Sequence, residues 1–159
     1  MTKLPPCLLV IEQDVAVQTL LVDMLSYAGY DVHVALHTDD VAHIVQEVNP
    51  ALVLLSGGRR GTFASGWRTA YTLKQINPVL PLLMLSTNAA AVAEVGRTTR
   101  GRLFVAGLWK PFDVATLLAL VEHWCSDQPA ARTTGKGLAG EMGLATVRKY
   151  AAEAAADPT

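Results

Sequence analysis

Polar residues able to do chemistry stand at the ends of apolar runs in this sequence. Glu12, Gln13 and Asp14 follow CLLVI, Ser56 follows ALVLL, Ser86 and Thr87 follow PLLML, and Lys110 follows LFVAGLW. Carboxylates, hydroxyls and an ammonium are between them groups that can hold an anion or a cation. Acids are scarce among them. The Ser56 hydroxyl has no flanking base to deprotonate it. Beyond it the chain reads GGRRG. There Gly57 and Gly58 free the backbone to present N–H groups, while Arg59 and Arg60 add positive charge, a combination suited to an anion. A solvated surface loop, or salt bridges from the arginines to Glu12 or Asp14, explains the same residues.

Elsewhere the reactive residue types do not assemble. The four histidines, His33, His37, His43 and His123, show no metal-ligand spacing with the two cysteines, and they read as surface or rim residues. Cys7 and Cys125 read as ordinary thiols in a reducing, cytoplasmic compartment. TTGKG at 133–137 lacks the full phosphate-loop pattern and a preceding strand. With no nucleophile paired to a base, no dinucleotide fingerprint and no metal cluster, neither catalysis nor a cofactor is expected.

These residues need elements to position them, and the hydrophobic pattern supplies a repeating series. Strand-like runs at 7–11, 30–35, 51–56, 81–86 and 103–108 alternate with helical patterns at 14–29, 38–48, 65–76, 88–97 and 113–124. Such alternation predicts an α/β fold: a parallel five-stranded sheet with helices on both faces and right-handed crossovers. Ligands and chemistry then collect at the carboxyl ends of the strands, where the four polar stations lie. Trp67 and Trp124 are expected to cap the core.

The bulk numbers agree. A chain of 159 residues suits one domain that buries about 68–70% of its unfolded surface. It is 51% hydrophobic and carries a net charge of −1, which gives no electrostatic reason for a nucleic-acid or anionic-membrane partner. Its apolar runs fall well short of the ~18 residues a membrane span needs, and MTKLPPC is no secretory signal. Residues 1–125 read as the domain and 126–137 as a Pro- and Gly-containing linker. The tail, 138–159, has Leu138, Met142, Val147 and Tyr150 along one side of a helix weakened by Gly140 and Gly143.

LLVIEQD, NPALVLLS, PLLMLS and WKPF stand in the order and at the spacing of the receiver domain of two-component response regulators, which residues 5–125 resemble. The resemblance implies a flavodoxin-like, doubly wound sheet of order 2-1-3-4-5. It also implies a role for each station. Two acids after the first strand hold Mg²⁺, an aspartate ending the third accepts a phosphoryl group, and a Ser or Thr after the fourth and the Lys of Lys-Pro contact its oxygens. Ser86 and Lys110 match. Glu12 is one methylene longer than the usual Asp, Gln13 replaces the second acid, and Ser56 replaces the acceptor. A hydroxyl cannot form an acyl phosphate, so the pocket is degenerate, and Glu12 is expected to pair directly with Lys110.

Two further departures concern signalling. The family's mobile aromatic, three residues before the lysine, is Gly107 here, and the loop after Ser56 is longer and cationic. The resemblance therefore implies a receiver-like protein-interaction module that is not phosphorylated. Its partner would be a kinase, a regulator or a second copy, meeting it on the fourth helix, fifth strand and fifth helix near Gly107 and Trp109. Trp109 suits either an anchor for a partner or a cover over the last helix. The alternative function is a sensor that binds an anionic small molecule over Arg59, Arg60, Ser86 and Lys110. An enzyme on this architecture ranks last, since fold alone licenses no chemistry.

Overall fold

The computed structural model describes residues 4–36, 39–57, 63–95 and 103–126. Gly58, Arg59, Arg60, His37, all but the first residue of the 126–137 linker, and the 138–159 tail lie outside the described residues. Among the described residues, strand and helix alternate through ten elements: β1 (Cys7–Ile11), α1 (Val15–Tyr27), β2 (Asp31–Ala35), α2 (Val41–Val48), β3 (Leu52–Ser56), α3 (Phe63–Ile76), β4 (Leu82–Ser86), α4 (Ala89–Val95), β5 (Ala106–Trp109) and α5 (Val114–Cys125). All strands pair in parallel, in the order β2-β1-β3-β4-β5.

The near-continuous apolar strands follow from burial on both sides. Leu9, Ile11, Val53, Leu55, Leu82 and Met84 face one core cluster with residues of α2, α3 and α4. Their neighbours Leu8, Val10, Leu52, Leu54, Leu83 and Leu85 face another with residues of α1 and α5. Each fully buried Leu contributes about 1.5–3 kcal/mol of transfer free energy. Trp67 sits in the first cluster, edge-on to Phe104 at 5.1 Å. Trp124 packs partly buried against the second. Both tryptophans thus border the core as their positions predict.

Local signals set the element ends. The Asp14 carboxylate accepts from the N–H groups of Ala16 and Val17 at 3.0 and 3.2 Å, starting α1. Asp40 does the same for His43 at 3.1 Å, so α2 begins at Val41 rather than at 38. Asn49, which tolerates the left-handed region, closes α2 at φ 49°. The apolar run predicting a strand over 103–108 is split. Leu103 and Phe104 are buried in the α3/α4-side core outside any strand, and β5 is Ala106–Trp109. A short apolar run reports burial, not the geometry that achieves it.

Candidate functional site

All four polar stations arrive at the carboxyl rim of the sheet because four parallel strands end there. Glu12 follows β1, Ser56 closes β3, Ser86 closes β4 and Lys110 follows β5. The strands β1 and β5 stand three places apart in the sheet, about 14 Å at the usual strand spacing. Two long side chains nonetheless meet across that span. Lys110 Nζ donates to Glu12 Oε2 at 2.5 Å, with the side chains 15% and 5% exposed. The other carboxylate oxygen is also used, since Glu12 Oε1 accepts from the Asp14 N–H at 2.9 Å. The extra methylene of Glu over Asp supplies part of the reach.

The neighbouring positions are closely packed. Ser56 and Ser86 are buried, 3% and 1% exposed. Ser86 Oγ accepts from the Asn88 N–H at 3.0 Å. The Ser86 carbonyl accepts from the Lys110 N–H at 2.8 Å. Gly57 donates its N–H to the Leu85 carbonyl at 2.6 Å, and a Cβ there would stand 3.1 Å from both Cβ and Oγ of Ser86. Glycine favours this close approach, and this part of the loop lies buried between strand ends. Gln13 is exposed, and Asp14 is exposed and occupied in capping α1. Glu12 is therefore the carboxylate that enters the buried rim from this stretch.

Gly107 and Trp109, the residues expected to mark a partner face, differ in exposure. Gly107 is buried beneath α4, where a Cβ would come within 3.2 Å of Val95 Cγ2 and 3.3 Å of Val92 Cγ1. It shapes the face from below by letting α4 sit close, and is not part of the surface. Trp109 is half-buried and donates its indole N–H to the Thr87 carbonyl at 3.1 Å, which ties β5 to the β4–α4 turn. Asn88 is a residue that sequence reasoning does not single out. Its side chain accepts from Ala90 and Ala91 at 3.0 and 3.3 Å, and an Asn before an Ala-rich run is the available signal.

At the opposite end of the strands, the fold assembles a group that spacing does not indicate. Cys7, Asp31 and His33 place their ligand atoms within 4.8 Å of one another. Burial, and then the Asp31 carboxylate, push the Cys7 thiol above its ordinary pKa, away from the thiolate a nucleophile requires.

No protein-family model matches the sequence, and no curated protein matches it. Solved structures do. The receiver domain of NtrX from Brucella abortus is 24% identical, with a TM-score of 0.65 over 76% of this chain and 99% of that one. The N-terminal domain of the nisin resistance regulator NsrR is 20% identical, with a TM-score of 0.63 over 76% and 98%. A putative response regulator from Chloroflexus aurantiacus is 22% identical, with a TM-score of 0.64 over 76% and 98%. Against one longer NtrX chain, this chain spans 30% of the length. Likeness at this identity concerns architecture. Together with the observed strand order, it gives the chain the CheY-like, flavodoxin-type fold of response-regulator receiver domains.

Proposed function

We propose that this chain is a receiver-fold interaction module of two-component-type regulation that works in the cytoplasm without aspartyl phosphorylation. The observation that carries the reading is the Lys110–Glu12 ion pair across the rim. In the receiver pattern that lysine meets phosphoryl oxygens. Here it is held by a carboxylate of the same chain, beside a buried serine where an acyl-phosphate acceptor would stand. Gln13 and Ser56 remove two of the carboxylates that would hold Mg²⁺. Signalling then rests on protein contact. The α4–β5–α5 face is the surface proposed for it, with a kinase, another regulator or a second copy as partner. The exposed positions of α4 are Ala90 and Glu94, one small and one acidic.

Among the described residues, no helix is long and apolar enough to cross a membrane. The alternative, a sensor of anionic small molecules at the same rim, requires a guest to displace Glu12 from Lys110, and it is the less supported of the two. One titration tests both. Fluorine NMR of the full chain with Mg²⁺ and beryllofluoride is expected to show no slowly exchanging bound fluoride, and inorganic phosphate is expected to leave the melting temperature unchanged. Bound beryllofluoride would contradict the proposal. A phosphate-dependent rise in Tm that Lys110→Met removes would favour the sensor.

A further inference from the structure

The cluster at the amino-terminal end of the sheet has the composition of a metal site. Cys7 and Asp31 are register partners across β1 and β2. Strand alternation puts His33 on the same face, two residues further along. His33 Nε2 lies 3.2 Å from Asp31 Oδ2. On that face the following residues Leu9, Ile11 and Ala35 enter the core, so a patch of ligand-bearing side chains borders an apolar one. Cys7 is half-buried, while Asp31 and His33 are exposed.

We propose that Cys7, Asp31 and His33 form a binding site for a borderline-soft divalent cation of the zinc class. A thiolate, an imidazole and a carboxylate are the three side-chain types that bind Zn²⁺. Mg²⁺ and Ca²⁺ take oxygen ligands, so this donor set selects against them. A tetrahedral centre with bonds of about 2.0–2.3 Å holds its ligand atoms roughly 3.3–3.6 Å apart. The Asp31–His33 pair already has that spacing, and a small side-chain rotation brings the 4.8 Å limit of the whole set into range. Three protein ligands leave the fourth position to water. Because β2 is an edge strand, the ion can enter from solvent.

The competing explanation is that charged side chains on an exposed edge discourage pairing with another chain. It accounts for Asp31 and His33 but not for a thiol beside them. A bound ion would clip the first two strands together far from the rim, stabilising the fold by mass action.

Co²⁺ is the probe, titrated into the reduced full chain and followed by absorption. The expected result is one Co²⁺ per chain with a thiolate-to-cobalt charge-transfer band that Zn²⁺ displaces. Cys7→Ser abolishes the band. His33→Gln, at an exposed position, weakens binding by more than about tenfold while leaving the circular dichroism intact. Cys125→Ser leaves the band in place. Absence of the band, its survival in Cys7→Ser, or its indifference to His33→Gln would overturn the proposal in favour of a guarded sheet edge.

Discussion

At the scale of single residues, the Glu12–Lys110 pair determines what the rim can do. Removing one member of a buried ion pair leaves the other charge without compensation, which costs about 3–5 kcal/mol, whereas replacing both members with neutral groups is often near neutral. The exposures of 5% and 15% put this pair close to the buried case. Lys110→Met is therefore expected to destabilise the chain by about 3 kcal/mol, and Glu12→Gln/Lys110→Met by clearly less. Urea denaturation of the two variants checks this. Equal losses would show that the cost of Lys110→Met does not come from an uncompensated Glu12 charge. The identities of the rim residues are legible in the sequence, because parallel strands deliver their last residues to one edge and the types Glu, Gln, Ser, Ser and Lys can be read directly. The contact between Glu12 and Lys110 needs only the reach of two long side chains. The Cys7–Asp31–His33 group is not legible, because it depends on the register of β1 against β2, which no local spacing encodes.

Among the elements, α4 is the one whose position depends most on a single residue. Val92 and Val95 pack over Gly107, so that a Cβ there would sit tightly against them, 3.2–3.3 Å from their methyls. Gly107→Ala is expected to cost about 1–3 kcal/mol through overpacking. In a double-mutant cycle with Val92→Ala the two losses should fall short of additivity by at least about 0.5 kcal/mol, because trimming the valine makes room for the new methyl. Additive losses would mean that α4 is not seated on Gly107. Periodicity locates this helix, as it does the other nine elements, but it cannot show that the glycine is covered. An apolar, aromatic-poor stretch reads equally well as flat surface or as packed floor. The same ambiguity makes Leu103 and Phe104 an expected strand, when both are buried without strand geometry.

For the whole molecule, the parallel sheet with two apolar faces is what alternating strands and helices require, the strand order is the one the receiver resemblance implies, and the likeness to receiver structures at 20–24% identity agrees with both. Such a fold carries a phosphoryl switch only when acids line its rim. Here Ser56 and Ser86 are buried, and the lysine is already joined to a carboxylate. The direct measurement is the intact mass of the full chain after incubation with acetyl phosphate and Mg²⁺. The proposal predicts an unchanged mass. A stable gain of one phosphoryl group, mapped to Ser56, would contradict it.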